Sequence, residues 1–103
     1  MKIVTDEVFG PVMAIIPVSS DDEAVKEINK SRFGLTASIW TKDASTLDSL
    51  ASDLEVGTVF MNRCDYLDPA LAWIGIKNSG KGAALSEFGF DSFIRLQSRH
   101  YRL

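Results

Sequence analysis

The chain has 103 residues, 46% of them hydrophobic and 24% charged, and a formal net charge of −3. These values are ordinary for one soluble globular domain over residues 1–103, they indicate no disorder, and they give no support to non-specific nucleic-acid binding, so we expect no nucleic-acid partner. No apolar run is long enough to cross a bilayer, and the N-terminus lacks the features of a signal peptide, so we expect no membrane partner. The only cysteine, Cys64, cannot form an internal disulfide. The sequence therefore predicts a reducing compartment, by default the cytoplasm.

The first informative stretch is a polar and aromatic corner that precedes an apolar run. Glu7 and Phe9 are two residues apart and would share one side of an extended backbone. Gly10 permits a sharp turn and Pro11 fixes φ. Residues 12–18 are almost continuously apolar, which is typical of a short strand buried on both faces. From these residues alone, a surface loop corner and a ligand-binding edge both stay open.

Two helices and two further strands are predicted next, in alternation: a helix over 21–32, a strand over 35–41, a helix over 43–55 and a strand over 58–61. Ser20 and Glu23 have the spacing of a capping box, and Asp43 is the favoured cap of the second helix. Gly34 and Gly57 are predicted to end the two helices, Gly34 in a left-handed conformation. Strands that alternate with helices predict two successive βαβ units. We therefore expect an α/β fold with a small, three-layer-like parallel sheet.

The periodicity stops after this region, and residues 62–82 are predicted to form a long loop. Loops of about twenty residues are uncommon in small domains unless they are functional. This loop also follows the C-terminal end of a strand, where ligands bind in open parallel sheets. A short helix over 83–90 and a final strand over 93–103 are predicted after it. Neither face of that last strand is cleanly apolar, which favours an edge or arm strand.

Several patterns in the second half could carry chemistry, and each has a simpler interpretation. Residues 75–82 nearly match the phosphate-binding pattern GxxxxGK[ST], but Gly82 has no hydroxyl to hold magnesium. Cys64 would need a base, and the only histidine is His100 in the last predicted strand, so a partly buried structural thiol is favoured. No Cys/His cluster has the spacing of metal ligands. Trp73 could line an apolar passage or simply pack inward, and both interpretations stay open.

Four segments together resemble the C-terminal part of the aldehyde dehydrogenase superfamily, in the family's order and approximate spacing. They are residues 7–11 (EVFGP), 29–35 (NKSRFGL), 58–62 (TVFMN) and 75–80 (GIKNSG). Members of this family are NAD(P)-dependent oxidoreductases that convert aldehydes to carboxylates through a covalent intermediate on a catalytic cysteine. The resemblance covers nearly the whole chain. It implies that the chain is a C-terminal piece of such an enzyme, whose substrate is a small aldehyde.

The resemblance also implies roles for four side chains. Glu7 would hydrogen-bond to the ribose of the nicotinamide half of NAD or NADP, and Phe9 would pack beside the nicotinamide. Asn62 would begin the loop on the substrate side. Trp73 stands where the family often has an aromatic residue lining the aldehyde tunnel.

Other features of the family have no counterpart in this sequence. Its nucleophilic cysteine, general base, oxyanion asparagine and cofactor domain precede the segment of Glu7, and Cys64 is in the wrong place to replace the nucleophile. We therefore expect no catalytic residue here, an isolated chain that is inactive, and no tight cofactor binding. Ile74 and Ala84 replace a glycine and a glutamate that are common in the family, which leaves the substrate class open. Residues 93–103 resemble the family's oligomerisation strand and imply a homo-oligomer. A non-catalytic self-association module of the same ancestry is the alternative.

Overall fold

The structure is a computed structural model that describes residues 2–103. Its helices are α1 (Lys2–Thr5), α2 (Asp21–Asn29), α3 (Ala44–Asp53) and a 3-10 helix (Glu87–Phe93). Its strands are β1 (Phe33–Gly34), β2 (Thr36–Ile39), β3 (Thr58–Met61), β4 (Trp73–Ile74), β5 (Ile76–Lys77) and β6 (Ala83–Ala84). None of these helices is long and apolar enough to cross a bilayer.

A parallel βαβ unit forms the centre of the fold. β2 and β3 pair in parallel, with Thr36 opposite Thr58 and Ile39 opposite Met61, and α3 connects them. The Asn62 amide extends the pairing by donating to the Ile39 carbonyl at 3.0 Å. The α/β class and the second of the two predicted βαβ units are therefore present.

Both longer helices begin where their capping residues predict. The Ser20 hydroxyl accepts from the Glu23 amide at 3.2 Å, and the Glu23 carboxylate accepts from the Ser19 amide at 2.8 Å. The hydrogen bonds that the Ser19 hydroxyl and then the Ser19 amide donate to the Glu23 carboxylate lower the pKa of Glu23. The Asp43 carboxylate accepts from the Ser45 and Thr46 amides at the start of α3. α2 ends at Asn29, three residues earlier than predicted.

Two glycines predicted to end helices instead permit close approach between strands and loops. Gly34 has no positive φ and lies in β1, which pairs antiparallel with β5. A Cβ atom on Gly34 would lie 2.6 Å from the Glu55 carbonyl oxygen, and one on Gly57 would lie 1.6 Å from that of Ile74. The left-handed ending at Gly34 was therefore a wrong prediction, and α3 already ends at Asp53, before Gly57. Both glycines are required because neighbouring backbone occupies the space of a side chain.

The strand predicted over residues 12–18 is not formed in this structure, so the first of the two predicted βαβ units is absent. Every residue of this run is exposed, and the side chains of Met13 and Ile15 are 80% and 82% exposed. An apolar run becomes a buried strand only where a neighbouring strand and packed layers cover it. Within residues 2–103, no element provides that cover.

The C-terminal part also differs from the predicted helix and strand. Residues 83–90 contain β6, which pairs antiparallel with β4, and the start of the 3-10 helix rather than one short helix. Residues 94–103 have no regular secondary structure. An arm strand needs a partner strand for its backbone hydrogen bonds, so pairing with another subunit stays a prediction.

Very little of the described chain is shielded from solvent. Among residues 2–103, Leu54 is the one large apolar side chain that is buried, at 8% exposed. The radius of gyration is 18.0 Å, whereas a compact chain of this length has about 13 Å. The fold is therefore open, with short two-stranded pairs arranged around the βαβ unit.

Candidate functional site

An open cavity of about 490 Å³ lies beside Glu7. α1 and the bend that follows it bring Asp6 and Glu7 to one side of this cavity, and both side chains are exposed. Ser31, Phe33 and Ser79 also line this cavity. The cavity thus combines acidic acceptors, hydroxyl groups and one aromatic surface, which suits a polar ligand that carries hydroxyl donors.

Three segments that are distant in sequence meet around this cavity. The Gly34 amide donates to the Ser79 hydroxyl at 3.0 Å, and the Asn78 amide donates to the Arg32 carbonyl at 2.9 Å. The Arg32 guanidinium lies 3.6 Å from the Asp6 carboxylate and 5.1 Å from the centre of the Phe33 ring. Residues 29–35 and 75–80, which carried the resemblance separately, therefore form one wall beside Glu7.

Lys77 connects residues 75–80 to the backbone of residues 29–31. Its side chain is 22% exposed, and its ammonium group contacts three acceptors: the Asn29 carbonyl at 2.9 Å, the Ser31 carbonyl at 3.1 Å and the Glu55 carboxylate at 2.6 Å. The Asn29 carbonyl ends α2 and the Ser31 carbonyl lies two residues beyond it, so the positive charge interacts favourably with the C-terminal end of the helix dipole. The ammonium group thus donates two hydrogen bonds to backbone carbonyls and forms an ion pair with the Glu55 carboxylate.

The Asn29 side chain joins the C-terminal ends of α2 and α3. Its amide group donates to the Asp53 carbonyl at 2.7 Å and accepts from the Glu55 amide at 2.8 Å. We did not predict these roles of Asn29 and Lys77 from the sequence. The available signal was that both residues lie inside segments that carried the resemblance.

Phe9 and Glu7 differ in their surroundings. The Phe9 ring is 93% exposed, and it is not among the residues that line the cavity beside Glu7. Both ring faces are thus accessible to a ligand or to another part of a larger fold. The pairing of these two side chains on one ligand stays a prediction.

The Asn62 side chain is engaged with the protein backbone. Asn62 has a φ of 53°, and its side-chain amide donates to the Thr41 carbonyl at 2.7 Å and accepts from the Thr41 amide at 2.9 Å. These two bonds continue the β2–β3 pairing by one further step. They fix the start of the following loop, whose role on the substrate side stays a prediction.

Trp73 is half-buried and lies in β4, directly opposite Ala84 of β6. The ring is therefore partly packed against the chain and partly accessible. The lining of the cavity beside Glu7 includes neither Trp73 nor Asn62. The structure thus brings Glu7 to the 29–35 and 75–80 segments, but it does not gather all four predicted site residues in that cavity.

Cys64, His100 and the possible metal ligands do not form a catalytic or metal site within residues 2–103. Cys64 is a free, exposed thiol, not the partly buried one that we predicted, and His100 is also exposed. Arg63, next to this cysteine, stacks its guanidinium 3.8 Å from the centre of the Tyr66 ring. Within the described residues, no group of three or more His, Cys, Asp or Glu side chains could hold a metal ion.

Comparison with known proteins gives consistent matches. The sequence profile of the aldehyde dehydrogenase family matches residues 1–98. An aldehyde dehydrogenase of Paenarthrobacter nicotinovorans is 39% identical over 98 residues, which are 95% of this chain and 21% of that protein. This chain thus spans about a fifth of the length of that relative.

Solved structures agree with the sequence matches. Indole-3-acetaldehyde dehydrogenase of P. syringae in complex with NAD+ and IAA superposes with a TM-score of 0.93 at 33% identity, over 100% of this chain and 21% of that chain. Succinic semialdehyde dehydrogenase of Streptococcus pyogenes in complex with NADP+ has a TM-score of 0.86 at 40% identity, over 90% of this chain and 20% of that chain.

Proposed function

Because the chain belongs to the aldehyde dehydrogenase family, we propose that it supplies part of the cofactor and substrate region of an NAD- or NADP-dependent aldehyde dehydrogenase. The complete enzyme would oxidise a small aldehyde to the carboxylate. The observation that carries this proposal is the cavity that brings the Glu7 segment against residues 29–35 and 75–80. Solved relatives hold NAD+ and NADP+, which supports either cofactor in the complete enzyme.

We propose that Glu7 and Phe9 bind the nicotinamide half of the cofactor. A carboxylate accepts hydrogen bonds from the two hydroxyls of a ribose, and the Glu7 carboxylate is exposed at an open cavity. An exposed aromatic ring offers a flat apolar face to a nicotinamide ring. When bound, the nicotinamide would supply the hydride acceptor. Glu7 and Phe9 would act by orienting it, because neither side chain has a role in proton transfer here.

We propose that Asn62 and Trp73 belong to the substrate side. Asn62 follows the C-terminal end of β3, the position at which parallel sheets bind ligands. Trp73 presents a partly accessible indole, which suits contact with an apolar aldehyde chain. The two hydrogen bonds between the Asn62 side chain and the Thr41 backbone would fix the start of the loop that leads from Asn62 to Trp73.

We infer that the isolated chain is not catalytic and binds NAD(P) weakly. Covalent aldehyde oxidation needs a thiolate, a base and oxyanion donors within hydrogen-bonding reach of one another. Cys64 and His100 are both exposed, and neither lines the cavity beside Glu7. The free thiol is compatible with a reducing compartment, and we propose the cytoplasm.

The role of Glu7 is tested with a chimeric aldehyde dehydrogenase in which this chain replaces the matching segment of a full-length relative. Glu7→Gln is then introduced into that chimera. The amide keeps the size of the side chain but loses the charged acceptor. We expect kcat/KM for the cofactor to fall about tenfold, which corresponds to about 1.4 kcal/mol. Steady-state kinetics with varied NAD+ or NADP+ provides the measurement.

The matched control is Asp48→Asn, which neutralises an exposed carboxylate on α3 and should leave the kinetics unchanged. Unchanged cofactor kinetics with reduced thermal stability in Glu7→Gln would instead assign Glu7 to a structural loop corner.

The inactivity of the isolated chain is checked by incubating it with NAD+ or NADP+ and short aldehydes. Robust turnover would contradict it.

A second candidate function is a non-catalytic module that associates through residues 93–103. Apolar side chains of this segment are uncovered, Phe93 at 88% and Leu96 at 89% exposed. Exposed apolar surface of this kind favours association with another chain. Light scattering over a range of concentrations tests it, and a stable monomer at high concentration would count against it.

A further inference from the structure

One ion pair is the polar contact that joins the segment of Glu7 to the rest of the described chain. A nitrogen of the Arg32 guanidinium lies 3.6 Å from an oxygen of the Asp6 carboxylate. The other hydrogen bonds of residues 2–18 stay within that segment. Among the residues that the structure describes, no second hydrogen bond or ion pair links residues 2–18 to residues 19–103.

Arg32 is itself attached to the wall formed by residues 29–35 and 75–80. Its carbonyl accepts from the Asn78 amide at 2.9 Å. Its guanidinium carbon lies 5.1 Å from the centre of the Phe33 ring, within the range of a cation–π contact. Both contacts fix Arg32 beside the wall, so its positive charge attracts the Asp6 carboxylate from a defined position.

The ion pair acts on the cavity beside Glu7 through the backbone. Asp6 and Glu7 both line this cavity, whereas Arg32 does not. Because consecutive Cα atoms are about 3.8 Å apart, a carboxylate held at Asp6 restricts the position from which the Glu7 side chain extends. A binding group that is already in place lowers the entropic cost of binding a ligand.

We propose that Arg32 is a positioning residue for the cofactor, a role that rests on the proposed function of Glu7. Through Asp6, Arg32 holds the Glu7 carboxylate beside the wall, where it receives the ribose of the nicotinamide half. The Arg32 and Asp6 side chains are 59% and 53% exposed. Their attraction is therefore modest and is screened by salt. Since Arg32 does not line the cavity, its effect falls on cofactor binding and not on the chemical step.

Arg32→Gln in the chimeric aldehyde dehydrogenase removes the positive charge and keeps a polar side chain. We expect the KM for NAD+ or NADP+ to rise about threefold with little change in kcat, because binding is weakened and chemistry is not. Arg32→Lys keeps the charge and should bring the KM back to within about twofold of the unsubstituted chimera. Lys30→Gln is the matched control, since it removes an exposed cation whose partner is Glu27, and should leave the KM unchanged.

Two further measurements separate this role from a general loss of stability. Asp6→Asn should raise the KM about threefold, and the double variant Asp6→Asn/Arg32→Gln should have no larger effect, because all three variants break the same ion pair. The ratio of the KM of Arg32→Gln to that of the unsubstituted chimera should fall towards one between about 0.1 M and about 1 M salt. Over this range the Debye length shrinks from about 10 Å to about 3 Å.

Glu7→Gln in the same chimera separates the two ways in which the proposal could fail. If Glu7→Gln impairs cofactor kinetics and Arg32→Gln does not, the positioning role is overturned while the role of Glu7 stands. The same holds if Asp6→Asn restores the KM of Arg32→Gln, if the two substitutions are additive, or if the KM ratio is independent of salt. If neither Glu7→Gln nor Arg32→Gln changes cofactor kinetics, both roles are overturned.

Discussion

Two side chains, Asn29 and Lys77, hold the C-terminal ends of α2 and α3 next to each other. The Asn29 amide connects to the backbone of residues 53 and 55, while the Lys77 ammonium binds the Asn29 and Ser31 carbonyls. Helix C-termini leave carbonyl groups without intrahelical partners, so these side chains satisfy groups that the helices themselves cannot. The wall of the cavity beside Glu7 therefore depends on polar contacts more than on buried apolar area.

Asn29→Ala removes one acceptor and one donor from this junction. We expect the free energy of unfolding to fall by about 1–3 kcal/mol, because the Asp53 carbonyl and the Glu55 amide lose their partner. Urea unfolding of the full chain followed by circular dichroism provides the measurement. Asn78→Ala, which shortens an exposed amide, is the control and should change stability little. If both substitutions lower the free energy of unfolding equally, the Asn29 side chain does not stabilise the junction between α2 and α3.

Gly57 makes the tightest backbone approach among the glycines of residues 2–103. The Cβ atom of an alanine at this position would lie 1.6 Å from the Ile74 carbonyl oxygen, a distance that no side-chain rearrangement can relieve. We expect Gly57→Ala to lower the free energy of unfolding by about 3 kcal/mol or to prevent folding. Gly10→Ala, with no atom within 4 Å of its Cβ, should be nearly neutral in the same thermal melts. A mild effect at position 57 would show that β4 and its neighbours can shift away.

At the level of elements, the start of α3 is fixed by its N-cap residue, Asp43. The Thr46 hydroxyl, then the hydroxyl and amide of Ser45, donate to the Asp43 carboxylate and lower the pKa of Asp43 from 3.8 to about 2. Because this pKa is lower in the folded chain, ionised Asp43 stabilises the fold above about pH 4. The contribution is lost as the pH falls towards about 2.

A pH series of thermal melts tests this dependence. The native chain should lose stability between about pH 4 and pH 2, and Asp43→Asn should lose less over that interval because it has no titrating group at the cap. Asp48→Asn, on the exposed side of the same helix, should keep the full loss. If the melting temperatures of all three chains fall equally between about pH 4 and pH 2, other carboxylates control the loss of stability in acid.

Elements that local sequence signals specify could be predicted, whereas elements that need a distant partner could not. α2, α3 and β3 follow from caps and periodicity within a few residues, so they could be predicted from the sequence. Residues 12–18 and 93–103 have strand-like composition, but a strand exists only with a partner, and the sequence does not identify one. The β1–β5 pairing and the hydrogen bonds of Lys77 join residues that are more than forty positions apart. The contacts of Asn29 and Lys77 bring together three segments of the chain. No local pattern encodes such contacts.

At the level of the whole molecule, the predicted cofactor residues are open to solvent. Glu7 faces an open cavity, Phe9 is almost fully exposed and one large apolar side chain is buried within residues 2–103. Family membership and the four aligned segments could be predicted from the sequence. The meeting of three of them, residues 7–11, 29–35 and 75–80, around one cavity required the fold, because the resemblance gave their order along the chain and not their distances.

The central βαβ unit also sets the order in which the chain opens. The Thr58 and Asn62 amides donate to the Leu35 and Ile39 carbonyls at 3.0 Å, on either side of the parallel β2–β3 pair. In hydrogen–deuterium exchange of the full chain, these amides should be replaced at least about a hundredfold more slowly than those of Met13 and Ile15, which have no acceptor among residues 2–103. Equal rates would contradict a protected centre. A protease would then cut the flanking segments first and leave residues 33–62 as the most persistent fragment.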